Sequence, residues 1–167
     1  MTTLAIEVCS RAEAAEILRS GESCAAIDLL ISIGEWIDGP PPGYENVSAR
    51  LRLTFADTAD PERGPRERDV EKIIEAARQL SEDARRVVVH CQAGISRSAA
   101  AAMILYAAIL GPGREDEAFR RVIEQRPVAR PNIRMIEIAD RLLGCDGEFV
   151  RVVRSFLEND AVRRPLH

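Results

Sequence analysis

Lysine and histidine are scarce in this sequence. Lys72 is the single lysine; arginine supplies the remaining basic side chains. With 23 basic against 27 acidic residues, the net charge is −4 and the isoelectric point is about 5.3. No global polyanion binder carries that balance, so no nucleic-acid partner is expected, although a local basic pocket remains open. His90 and His167 are the two histidines, too few for a multi-histidine metal centre. The four cysteines, Cys9, Cys24, Cys91 and Cys145, form no Cys-x-x-Cys pair, which removes zinc ribbons and thioredoxin-type motifs, and nothing suggests a disulfide framework. The longest all-apolar stretch, 99–110, is shorter than the roughly 20 residues a bilayer span needs. The first residues lack the basic-then-apolar order of a signal peptide. A reducing cytoplasm is the expected compartment, with no membrane partner.

What is present is an ordinary globular composition, 46% hydrophobic and 30% charged over 167 residues. One domain spanning 1–167 is expected, with a frayed end after about 158. A chain of this length buries roughly 70% of its unfolded surface and needs no staples. Leu4–Val8 reads as a strand and Arg11–Arg19 as a helix. Ala25–Ile33 reads as a second, buried strand, followed by the stiff loop Gly39–Gly43. Ala49–Phe55 alternates, with Leu51, Leu53 and Phe55 on one face, as a strand does. Helical spacing runs over Asp69–Leu80, near Arg114–Gln125, from Asn132 to Leu143 and over Phe149–Leu157. Val87–Val89 has the β-branched character of a central parallel strand. The expected class is α/β, a mostly parallel sheet of four to five strands flanked by helices.

The chemistry concentrates between Val87 and Ser98. A buried strand passes into a tight loop, and the loop feeds the N-terminus of an apolar helix. Backbone N–H groups converge at such a junction, and the helix dipole adds positive potential. Gly94 permits a turn that a Cβ would obstruct. Arg97 brings a planar, permanently charged fork to the same spot. The segment Gln92, Ala93, Gly94, Ile95, Ser96, Arg97 therefore reads as a cradle for a phosphate-sized dianion. Cys91 lies at its floor, where the same positive potential stabilises a thiolate. Ser98 is placed to donate to that sulfur and His90 to hold the loop through nearby backbone.

His90, Cys91, Gly94, Arg97 and Ser98 match the signature His-Cys-x5-Arg-Ser/Thr, and the segment resembles that of the cysteine-dependent protein tyrosine phosphatases. Such a match arises by chance less than about once in ten thousand chains of this length. Residues 93–98, Arg130-Pro-Asn132 and residues 139–144 extend the resemblance to a small bacterial family of predicted tyrosine phosphatases of dual-specificity size. The resemblance implies a phosphomonoester hydrolase that works through a phosphocysteine, without metal or cofactor, on phosphorylated protein or peptide. It also implies an acid about thirty residues before the cysteine. Asp57, just after the strand ending at Phe55, is the first candidate and Asp60 the second. Tetrahedral oxyanions should occupy the same cradle. Asn132 either borders the pocket and orients water or serves as a helix N-cap.

Other readings stand beside these. A phosphatase-like module that binds phosphate without turnover would share the cradle, and so would a phosphatase of phosphoinositides or of nucleotide or RNA 5′-phosphates. Cys9, Cys24 and Cys145 read as packing residues, with a backup thiol for Cys91 as the rarer reading. Arg126, Arg130 and Arg134 read as solvated surface, with a second anion site as the alternative.

Overall fold

The computed structural model describes residues 3–163. Four strands form one parallel sheet: β1 (Ala5–Cys9), β2 (Leu29–Gly34), β3 (Arg50–Thr54) and β4 (Arg86–His90), in the order β1-β4-β2-β3. The α/β class and parallel sheet expected from sequence are found, with four strands. Val87, Val88 and Val89 are fully buried because β4 lies inside the sheet with apolar layers on both faces.

Among the described residues, seven α-helices accompany the sheet: α1 (Arg11–Ile17), α2 (Gly21–Ala25), α3 (Glu67–Gln79), α4 (Arg97–Leu110), α5 (Glu115–Gln125), α6 (Ile133–Leu143) and α7 (Glu148–Arg163). Alternation along the strands sorts the core into two layers. Ile6, Val8, Ile31, Leu53, Val87 and Val89 pack with α3 to α7 in the larger one. Leu30, Val88, Cys9, Ala14, Leu18 and Cys24 form the smaller one under α1 and α2. Helix α4 is buried almost all round, from Arg97 to Ala107, which explains its unbroken apolar sequence. Among the described residues, no helix is long and apolar enough to cross a membrane.

Two boundaries depart from expectation. The segment read as a strand from Ala25 begins β2 only at Leu29. Ser20 caps α2 by accepting from the Ser23 amide at 3.3 Å, and Asp28 turns its carboxylate to the amides of Arg85 and Arg86 at 2.7 and 2.8 Å. At the other end, α7 continues past 158 to Arg163. Asp160 pairs with Arg130 at 2.6 Å, and the Arg130 guanidinium lies 5.6 Å from the Phe156 ring centroid, which ties this last stretch to the body. Residues 164–167, including His167, lie outside the described residues.

Strand β1 is a sheet edge, and side chains take three of its outward groups. Ile6 N donates to Tyr106 Oη at 3.1 Å, Val8 N donates to Gln125 Oε1 at 2.7 Å, and Gln125 Nε2 donates to Ile6 O at 2.5 Å.

Candidate active site

The loop from Cys91 to Ser96 joins β4 to α4, and a named donor takes each of its six carbonyls. His90 Nδ1 reaches Cys91 O at 3.1 Å. The Arg11 amide donates to Gln92 O at 3.2 Å. Arg126 donates through Nη2 to Ala93 O at 3.5 Å and through Nε to Gly94 O at 3.1 Å. The amides of Arg130 and Asn132 donate to Ile95 O at 2.7 Å and Ser96 O at 3.2 Å. In a trans peptide the C=O and the following N–H point in opposite directions. With every carbonyl held outward, the N–H groups of residues 92–97 turn to the inner side of the loop. That is how a ring of peptide donors is built from a segment with little regular structure of its own.

Gly94 is required by this wrapping. It has φ +68°, and a Cβ there would come within 2.5 Å of Cys9 C and 2.6 Å of Ser10 N. The loop rests directly on the start of α1, where Ser10 and Glu13 form a capping box. Glu13 also holds Arg126 at 3.1 Å.

Cys91 lies at the floor of the ring, 3% exposed, with its Sγ 3.0 Å from Ser98 Oγ. Burial pushes its thiol up. Hydrogen bonds from the Ser98 hydroxyl and from the amides of Ser98, Gly94 and Ile95 outweigh burial and hold it below the ordinary thiol value. Cys9 and Cys145 go the other way: burial, reinforced by carboxylates, pushes both to about 12. Cys9 pairs in register with His90 and packs in the smaller core layer, whereas Cys91 packs in the larger one. Cys91 is among the groups that raise the Cys9 thiol.

Arg97 is buried and donates through Nη1 to Phe55 O at 2.8 Å. Its Nε is a buried donor without a protein partner. An anion oxygen within the ring would satisfy that group, which otherwise carries the cost of an unmet buried donor. Phe55 thus links the guanidinium to the next loop.

Asp57 approaches from that loop. Its Oδ1 accepts from Ser96 Oγ at 2.7 Å and from Asn132 Nδ2 at 2.8 Å. Asn132 is also the N-cap of α6, accepting from the Met135 amide at 3.1 Å, so both of its sequence readings describe contacts it makes. Asp60 is occupied locally, accepting from the Glu62 amide at 2.9 Å. The structure therefore brings Asp57, rather than Asp60, against the cradle loop. Among the described residues, no group of three or more His, Cys, Asp or Glu side chains converges on one point.

The arginines read as solvated surface are not free. Arg126 braces the loop, Arg130 pairs with Asp160, and Arg134 donates through Nε to Pro65 O at 2.8 Å. Sequence reasoning missed Arg11, Ser32, Arg52 and Arg126 as supports of the site, since each acts through tertiary contacts. A cleft of about 330 Å³ adjoins the site through Phe55 and is also lined by Trp36, Arg63, Arg66 and Arg68. Trp36, 85% exposed, marks its rim.

No family model matches the sequence. A solved mouse putative dual specificity phosphatase is 27% identical, superposes with a TM-score of 0.55, and covers 85% of this chain and 82% of its own. The chain has the fold of the protein tyrosine phosphatases. DUSP15 shares this fold at 21% identity, with a TM-score of 0.62 over 95% of this chain and 94% of that one. Human protein phosphatase Slingshot homolog 3 is 38% identical over 82 residues, which are 47% of this chain and 12% of that protein. The chain thus matches a small part of that longer relative.

Proposed function

We propose that this chain is a metal-independent phosphomonoester hydrolase for phosphorylated proteins, of tyrosine or dual specificity, acting through a phosphocysteine. The observation that carries this reading is a buried sulfur that takes hydrogen bonds from the amides of Gly94, Ile95 and Ser98 and from the Ser98 hydroxyl, in a loop whose carbonyls are held by outside donors. In support, the mouse relative is a putative dual specificity phosphatase seen with zinc tungstate, and tungstate is a tetrahedral oxyanion.

Substrate phosphate sits among the amides of residues 92–97 with Arg97 Nε on one of its oxygens. The Cys91 thiolate attacks phosphorus, the S–P bond forms and the ester P–O bond breaks. Asp57 protonates the leaving oxygen. Its Oδ1 is committed to two donors, so Oδ2 is the oxygen that carries the proton. Water then attacks phosphorus, Asp57 takes its proton, and the S–P bond breaks. Ser98 donates to the departing sulfur. The amides and guanidinium meet the charge on the three equatorial oxygens, which is where phosphoryl transfer needs stabilisation.

The test is release of inorganic phosphate from an aryl phosphate and from phosphotyrosine and phosphoserine peptides in the presence of a chelator. Turnover lost in Cys91→Ser is the expected result. Equal turnover in Cys91→Ser, or orthovanadate binding with no phosphate release from any substrate, would overturn it, the latter in favour of a binding module.

A further inference from the structure

The sheet register sets three side chains in a row behind the cradle. His90 of β4 is paired with Ser32 of β2, and Ser32 is paired with Arg52 of β3. All three project to the face that carries the smaller core layer. His90 Nε2 lies 2.7 Å from Ser32 Oγ, and Arg52 Nη1 donates to the same Oγ at 2.8 Å.

The proton positions in this row follow from what each atom can do. A carbonyl oxygen only accepts, so the His90 Nδ1 that faces Cys91 O carries hydrogen. A guanidinium only donates, so Arg52 occupies a lone pair of Ser32 Oγ. The serine hydroxyl proton is then directed to His90 Nε2, which must be an unprotonated acceptor. An imidazolium would set a second donor against Ser32 and leave the buried hydroxyl proton without an acceptor.

We propose that Ser32 and Arg52 are positioning residues: they lock His90 in its neutral Nδ1–H form, and the locked ring holds the first peptide of the cradle with the Gln92 N–H turned toward substrate phosphate. Arg52 is itself fixed. Its guanidinium packs over Gly34, where a Cβ would come within 2.6 Å of Nη2, and Nη2 donates to Asp38 O. The charged groups around His90 are Arg52, Arg11 and Arg97, all cations, and with burial they oppose a proton on the ring. Arg52 also joins the cradle to the segment bearing Trp36 and Ile37, both exposed. The role assigned to these residues in turnover rests on the hydrolase reading above, but the state of the ring can be measured without it.

The experiment is nitrogen NMR of the full chain carrying His167→Gln, which leaves one imidazole, together with turnover and orthovanadate affinity. The wild-type ring should show a protonated Nδ1 and a bare Nε2 at pH 7. Ser32→Ala and Arg52→Gln should each mix the two tautomers and lower kcat by about three- to tenfold, the worth of one buried hydrogen bond, with little change in KM. Arg52→Lys, which keeps a cation and a donor, should recover most of the loss. Circular dichroism identifies any variant that fails to fold, and the other then decides. A wild-type ring protonated on Nε2, or folded variants with unchanged tautomer and unchanged vanadate affinity, would overturn the proposal. Failure of the hydrolase reading alone would appear differently, as absent turnover in a wild-type chain whose ring is locked.

Discussion

Asn132 holds the Asp57 carboxylate with its amide nitrogen at 2.8 Å while its amide oxygen caps α6 through the Met135 amide at 3.1 Å. One side chain therefore couples the loop carrying the proposed acid to the helix whose preceding segment braces the cradle. Asn132→Asp should keep the cap and replace the donor by an acceptor facing Asp57. We expect kcat to fall at least tenfold, and the melting temperature to fall through the two facing carboxylates although the cap is kept. Asn132→Ala should lose kcat and about 1 kcal/mol of stability as well. Steady-state kinetics beside thermal melts of both variants check these effects.

The acid role predicts a dependence on leaving group. Asp57→Asn should lower kcat by about 10²–10⁴ on phosphotyrosine, whose phenolate needs a proton, and much less on an aryl phosphate with an acidic phenol. A series of aryl phosphates measures the slope. Equal losses across the series would remove Asp57 from the proton transfer.

Alkylation should discriminate among the thiols. Cys91 is held below the ordinary value, whereas Cys9 and Cys145 are pushed to about 12. Iodoacetamide at neutral pH should therefore label Cys91 in preference to those two, as read by peptide mapping. Ser98→Ala removes a hydrogen bond to the sulfur and should move the labelling midpoint of Cys91 upward.

Gly94→Ala meets backbone at two points and forces a side chain into the left-handed region. We expect a loss of about 2 kcal/mol or more in stability and of at least 100-fold in orthovanadate affinity, since the loop must lift from the start of α1. Calorimetric titration with orthovanadate and urea unfolding read the two effects.

His90 gives a pH dependence of stability. Burial and three arginines push its ring down to about 4, from an ordinary value of 6.5. Below 6.5 the unfolded chain takes up a proton that the folded chain refuses, so stability is complete above 6.5 and falls as pH drops toward 4. The loss attributable to this ring is about 3 kcal/mol. Urea unfolding across that range, wild type against His90→Gln, isolates it as the part of the slope that the variant lacks.

The cradle was legible in the sequence because its reacting and anion-binding groups lie within one short segment, His90 to Ser98. Their order alone reports the strand-loop-helix junction. The donors that turn its carbonyls outward were not legible. Arg11 comes from α1, Arg126 from the end of α5, and Arg130 and Asn132 from the segment before α6. Arg126 also hid behind composition, because a chain so rich in arginine gives little reason to single one out. The row His90, Ser32, Arg52 depends on strand register, which alternation within each strand does not fix. The start of β2 was misread because Ala25, Ala26 and Ile27 continue its apolar run through the end of α2 and the turn after it.

The covered edge of β1 has a consequence for how copies of this chain meet. Tyr106 and Gln125 consume the groups that a foreign strand would need, so no neighbour can extend the sheet past Ile6 and Val8 without first displacing them. Growth by strand addition is left to the β3 side, where any newcomer meets Arg50 and Arg52. At high concentration the chain is thereby protected from end-to-end polymerisation through its sheet, and the protection is built from two side chains on helices that also bury its core.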